Sequence, residues 1–287
     1  MEHEKNRTSH CRPKQRKIAL KGTIVFLLAA QLIVATIFAL TISSQTVEAA
    51  KKGSPHSTSS DLLLPDLRPV KNTLMDYDLV KDPKTGQILL RFAGGMGNYG
   101  EGTLEIVGKR ASISSDKNSM PAYQRVYKED GTFDEIQVGV LSYHPEHHHY
   151  HFVNAIKYSL TDPTTGNEIS AKKEAFCLAD VAVIDDTITT YSQTPVYNQC
   201  YPNPNAKFVR MGVSPGWEDV YGKDLIGQAF DVTALMEKPQ QIYILEEITN
   251  PDGSLIDSND GKPQKTSIEV IIGQGVEVGV GKSRPGV

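Results

Sequence analysis

From residue 61 onward the chain shows alternating apolar and polar positions and no sustained helical period. Successive side chains of a strand point to opposite faces, so a half-buried strand reads as such an alternation. Runs rich in Val, Ile, Tyr and Thr lie at Gln87–Ala93, Gly102–Val107, Glu135–Tyr143, His149–Leu160, Val181–Thr190, Phe208–Val213, Gln241–Ile248 and Ser267–Ile272. These residue types favour strands, and Gly, Pro, Asn and Asp punctuate the runs every ten or so residues. Val232–Glu237 suggests one short helix, and no internal repeat is present. The pattern predicts a mostly β fold: one antiparallel β-sandwich over residues 61–280, with long loops, few short helices and a tail at 281–287.

The first 50 residues follow another rule. Gly22–Val47 carries no charge, and a cluster of Lys and Arg precedes it. Basic residues before an apolar run keep the amino terminus inside and direct the remainder outside. Val47-Glu48-Ala49 has the small-residue spacing of a signal-peptidase site. Residues 1–50 therefore read as a basic region followed by a signal peptide. The run is also long enough to serve as an uncleaved signal anchor. Residues 51–60 form a polar Gly/Ser/Pro linker. Both readings place the working domain outside: secreted, or membrane-anchored with the membrane touched through the N-terminal segment alone.

Composition narrows the functional classes. The formal net charge is −4, and with the basic residues concentrated at the start, the rest is acidic. A general nucleic-acid binder needs a basic stripe, which is missing. An acidic domain attracts cationic substrates at long range, and the same charge also serves solubility. Three cysteines cannot staple 287 residues, so the core carries the fold.

The densest chemistry lies in His144–His151, written HPEHHHYH. Tyr150, Phe152, Ile156, Tyr158 and Leu160 form the apolar side of the strand that follows, and His149 and His151 lie on the other side. His147 continues that spacing. Imidazole nitrogen is the usual ligand for copper and zinc, and three His with an open position make a catalytic type of site. His147 and His151 are about 13 Å apart on an ideal strand, so one ion demands a local distortion, and Pro145 fits one. His144 and His148 fall out of this register and read as facing solvent or as supporting the ligands from behind, not as ligands.

With the histidines in place, further motifs resemble the catalytic domain of lysyl oxidases. After His147-His148-His149-Tyr150-His151 come Lys173-Glu174-Ala175-Phe176-Cys177-Leu178 and then Ser214-Pro215-Gly216-Trp217-Glu218-Asp219-Val220-Tyr221-Gly222. Leu64-Pro65-Asp66-Leu67 and Leu89-Leu90-Arg91-Phe92 precede them in the same order as in that family. The resemblance covers about Asp61 to Ile272. It implies copper ligands at His147, His149 and His151. It also implies a lysine tyrosylquinone cofactor built from Lys173 and Tyr221 by copper and oxygen. Lys172 stands next door, and spacing to the FCL segment is the reason for choosing Lys173. The implied activity is oxidative deamination of primary amines, peptidyl lysine among them, to aldehydes with release of ammonia and hydrogen peroxide. Molecular oxygen is the co-substrate.

The resemblance also implies a Cys177–Cys200 disulfide. Outside the cell such a pair usually bridges, and the loop length gives about 3 kcal/mol in the chain-entropy model. It further implies calcium at Asp66 and an acidic segment near the end, where Asp257 and Asn259 stand. Here the paired Asn of the family is lost, and Trp217 replaces a cysteine of the animal members. The catalytic base is not legible: Asp219 reads as a turn carboxylate. Two other readings remain open from the residues: an extracellular copper-binding module without turnover, and a zinc hydrolase with Glu146 as base. No HExxH helix accompanies the second.

Overall fold

Tyr150, Phe152, Ile156, Tyr158 and Leu160 are all fully buried, as their alternation requires. The strand that carries them is central to the largest sheet. The computed structural model describes residues 61–112 and 118–281. The expected signal segment and linker, and all of the tail but Gly281, lie outside the described residues.

In chain order the elements are β1 (Leu62–Leu63), β2 (Leu67–Pro69), α1 (Lys71–Leu74), β3 (Tyr77–Lys81), β4 (Ile88–Phe92), β5 (Gly94–Asn98) and β6 (Leu104–Lys109). Next come β7 (Ser119–Lys128), β8 (Phe133–His144), β9 (His149–Asp162), β10 (Asn167–Phe176), β11 (Ala182–Val183) and β12 (Phe208–Val213). The last are β13 (Trp217–Tyr221), β14 (Ala229–Asp231), α2 (Thr233–Met236), β15 (Gln241–Thr249), β16 (Gln264–Ile272) and β17 (Gly279–Val280). A nine-stranded sheet runs β12-β6-β7-β8-β9-β15-β16, with β1 added on β7 and β10 on β9. Two four-stranded sheets run β11-β13-β5-β2 and β14-β4-β3-β17. Every pairing is antiparallel except β17 with β3. One apolar cluster draws on all three sheets, through Leu104 and Tyr158, Met96 and Trp217, and Leu90 and Phe92. The mostly β, antiparallel architecture is therefore as the sequence predicts.

Two local differences have physical causes. Val181–Thr190 is not a strand beyond Ala182–Val183. Asp185 Oδ1 accepts from the Thr187 amide (2.9 Å) and hydroxyl (2.6 Å), and such a side-chain turn breaks the ladder. Conversely, Gly94–Asn98, which is not among the expected strands, is a fully buried strand. A Cβ at Gly94 would lie 2.0 Å from Tyr158 Oη, and one at Gly95 2.2 Å from Glu218 Oε1. Glycine is needed there so that buried side chains can approach the backbone.

Between β9 and β10 the register slips: Glu174 pairs with Ile156, but Phe176 pairs with Phe152. The slack on β9 is taken up around Asn154, at φ +62. This bulge re-aims the end of β10, the segment leading from Lys173 to Cys177.

Candidate functional site

Pro145–His148 forms the turn that joins β8 to β9. The His147 amide donates to the His144 carbonyl (3.2 Å), and His148 adopts φ +57. His144 then lies opposite His149, and Ser142 opposite His151. The three histidines therefore do not share one strand. His149 and His151 stand on β9, and the hairpin turn folds His147 back beside them. This turn resolves the 13 Å separation that an extended strand would impose.

One ligand atom from each of His147, His149 and His151 lies within 4.8 Å of the others. His151 is buried and its Nε2 has no hydrogen-bond partner. Buried nitrogens are normally satisfied, so this one suits a metal ion. Three convergent imidazoles fit copper, which leads the affinity series at nitrogen sites. Burial pushes the His151 ring down to about 3, and the neighbouring His rings push the same way. Burial, aided by neighbouring rings, also lowers His147 and His149. The triad is neutral near pH 7, the form that ligates.

Of the two places open to His144, the structure gives the one beside the three rings. Its ring stacks on His151 at 5.1 Å and lies 4.6 Å from His147, with Nδ1 buried and unpartnered. The hairpin register is the missing signal: His144 and His149 are cross-strand partners and share a face. His148 is exposed.

Tyr221 arrives from another sheet. It stands at the end of β13, paired with Gly94 of β5, and its ring lies 6.3 Å from that of His151, edge to face. Phe176 stacks flat on it at 3.8 Å, and the Cys177 amide donates to its Oη at 2.8 Å. Burial and the Asp219 carboxyl raise the phenol well above its ordinary range. The Cys177–Cys200 disulfide is formed. Its sulfurs and a His149 nitrogen lie within 4.8 Å of one another, so the bridge touches both halves of the site.

The two lysines differ. The Lys172 ammonium pairs with Glu174 at 2.8 Å, donates to the Gly227 carbonyl, and lies over the rings of Phe92 and Phe230. Lys173 pairs through its backbone with Lys157, and its side chain lies outside the described residues.

Asp219 is not a turn carboxylate. It stands on β13 opposite Met96, 1 % exposed, with Oδ2 buried and unpartnered. Burial raises its carboxyl well above the usual range, and Glu218 and Asp180 add to this. Glu218 is pushed up to about 7 by burial, although Thr73 Oγ1 donates to it at 2.6 Å. Glu247, fully buried and bonded by the Gly95 amide at 3.1 Å, is raised further by burial and by Glu218.

Glu146, His147, His149, Cys177, Cys200, Asp219 and Tyr221 line one pocket of about 330 Å3, together with Ala179, Val181, Val220, Leu225 and Ile226.

The residues expected for calcium also converge. Asn259 Nδ2 donates to Asp66 Oδ1 at 2.9 Å. Asp257 Oδ1 accepts from the amides of Asn259 and Gly261, and its Oδ2 is buried without a partner. Both Asp66 oxygens, however, accept from the Arg68 guanidinium. Calcium takes six to eight oxygens, and here a cation of the chain already holds the principal carboxylate. The fit to calcium is incomplete.

Among the described residues, no helix is long and apolar enough to cross a membrane. Residues 129–263 match the lysyl oxidase family model. That span contains the histidine hairpin, Lys173, both cysteines, Tyr221 and the Asp257–Asn259 segment. No curated protein matches the chain.

Proposed function

We propose that this chain, whose match over residues 129–263 supports membership of the lysyl oxidase family, is an exported copper-dependent amine oxidase. The reaction takes a primary amine, oxygen and water to an aldehyde, ammonia and hydrogen peroxide. One observation carries the reading: two of the three convergent histidines line the same pocket as Tyr221, whose ring meets the third, His151, edge to face. The disulfide agrees with an oxidising compartment.

His147, His149 and His151 would hold the copper. A quinone built from Lys173 and Tyr221 would supply the electrophilic carbonyl and the electron sink for the amine. The chain's own residues supply position and proton handling. Phe176 fixes the plane of the Tyr221 ring, and the Cys177 amide fixes its oxygen. The Lys172 Nζ is already engaged by Glu174, the Gly227 carbonyl and the two aromatic rings. With Lys172 so engaged, and with the spacing to Cys177 that the family resemblance requires, Lys173 is the lysine we choose for the cross-link. Asp219, two residues from Tyr221, has an oxygen with capacity to take up a proton. It is our choice for the base.

A peptide map tests the reading. The protein is loaded with copper in air and digested with and without reductant. A Lys173–Tyr221 cross-link that survives reduction supports the oxidase. Bound copper with both residues unmodified overturns it and leaves a copper-binding module. A cross-link at Lys172 keeps the oxidase and reassigns the lysine.

A further inference from the structure

Among the described residues, two groups of three candidate metal ligands converge, and both include His149. The first is the histidine triad. The second is His149 with Cys177 and Cys200, in which one His149 nitrogen and both sulfurs lie within 4.8 Å of one another. The three residues arrive from different elements. His149 opens β9, Cys177 follows β10, and Cys200 lies in the loop before β12. Both cysteines line the pocket that His147 and His149 line. Cys177 is buried and Cys200 is partly exposed, so a small ion or a thiol reagent reaches the pair from the Cys200 side. The sulfurs are joined here as a disulfide. The thiolate is the form of cysteine that binds metal, and a newly made chain carries two thiols until the bridge forms. In that dithiol state the same three residues offer two thiolates and an imidazole. Thiolates are soft ligands that select cuprous copper, whereas imidazole serves harder copper states as well.

We propose that Cys177, Cys200 and His149 form a cuprous-ion site in the dithiol state of the chain, and that closing the disulfide passes the ion to the histidine triad through the shared His149. The transfer rests on the copper reading of the triad; the dithiol site does not. Closure joins one Sγ to the other. The two thiolates give up two electrons, and dioxygen takes them with two protons and leaves as hydrogen peroxide. The ion loses both sulfur ligands and keeps His149. His147 and His151 then complete its coordination, since each has a ligand atom within 4.8 Å of one of His149. The bridge thereby removes the soft donors from beside the triad once loading is complete.

The test uses the full chain with Cys11→Ser, so that Cys177 and Cys200 are its only cysteines. The protein is reduced with a phosphine, freed of it, and titrated with cuprous ion under argon against a chromophoric chelator. We expect the dithiol form to hold the ion at least about ten-fold more tightly than the disulfide form. His149→Gln should remove about ten-fold or more of that affinity. His151→Gln should weaken the disulfide form and leave the dithiol form within about three-fold. Equal affinity in the two forms, or a dithiol affinity indifferent to His149→Gln, overturns the site. Circular dichroism accompanies each titration. If reduction unfolds the chain, cuprous ion should restore the folded spectrum, and an ion bound to a chain that stays unfolded overturns the site as well. Air is then admitted. Maleimide labelling should show both thiols lost while copper stays on the protein; copper released as the bridge closes overturns the transfer. The Lys173–Tyr221 peptide map is read separately. Cuprous binding without a cross-link keeps this site and sinks the oxidase, and a cross-link without cuprous binding does the reverse.

Discussion

The ring of Phe176 lies flat on that of Tyr221, with centroids 3.8 Å apart and planes 6° from parallel. The next residue, Cys177, donates its amide to the Tyr221 oxygen. One dipeptide thus fixes both the plane and the in-plane rotation of the tyrosine. Phe176→Ala should cost about 3–5 kcal/mol of stability, as buried aromatic deletions do. Tyr221→Phe should keep copper and lose all reactivity toward phenylhydrazine, a carbonyl reagent. Metal analysis beside the hydrazine spectrum checks this pair of outcomes.

The disulfide stands between His149 and Tyr221. Cys200→Ser should lower unfolding free energy by about 3 kcal/mol, from loop length alone. It should also slow formation of the hydrazine-reactive group more than it weakens copper binding, since Cys177 bonds the tyrosine directly. Urea unfolding and a time course of hydrazine labelling give the two numbers. Equal loss of both would show that the bridge acts only on global stability.

The His151 ring titrates lower when folded than when unfolded, about 3 against an ordinary 6.5. The unfolded chain therefore binds the extra proton first. This contribution to stability is present above pH 6.5 and drains away as pH falls toward 3. Metal-free protein should lose stability steeply over that window. His151→Gln should flatten the slope, as read by urea midpoints at several pH values.

Glu218 behaves oppositely. Its folded carboxyl is raised to about 7 from 4.5, so the folded state holds the proton longer. Stability is highest below pH 4.5 on this account and falls as pH rises to 7. Glu218→Gln removes the buried charge and should add up to about 3 kcal/mol at pH 8, with little gain at pH 4. Glu247→Gln should shift stability in the same direction. A gain independent of pH would disprove this origin.

Arg68 grips Asp66 where calcium is expected. Millimolar calcium should leave the melting temperature of the parent protein unchanged. Arg68→Val frees Asp66 Oδ2 and leaves Oδ1 with Asn259 alone, beside the unpartnered Asp257 Oδ2. This variant should melt lower without calcium and recover with it. Thermal melts with calcium or chelator decide the matter.

Much of this was legible where side-chain pattern and position coincide. The buried set from Tyr150 to Leu160 and the strand Phe208–Val213 follow from alternation alone. The Cys177–Cys200 pairing came from the family resemblance. What escaped depended on backbone relationships. Gly94–Asn98 carries no strand signal because its neighbours need the missing side chains. Asn167–Phe176 is too polar to announce itself, since its strand character comes from pairing with β9. The place of His144 was left open between solvent and the ligands because its spacing counts along the chain, whereas the turn makes it a cross-strand neighbour of His149. Asp219 looked like a surface carboxylate because sequence gives no measure of burial for a lone acid.

If the proposed function holds, the histidine hairpin sets an order of events during maturation. All three candidate metal ligands fall within five residues around one tight turn, and a hairpin closes in about 1–10 μs. Tyr221 reaches them only after β13 has docked on β5, a contact distant in the chain that forms late. On the proposed reading, a nascent chain would capture its metal while the oxidisable ring is still elsewhere. Self-oxidation would then wait on completed folding, and a misfolded copy that holds copper would have no tyrosine in place to modify.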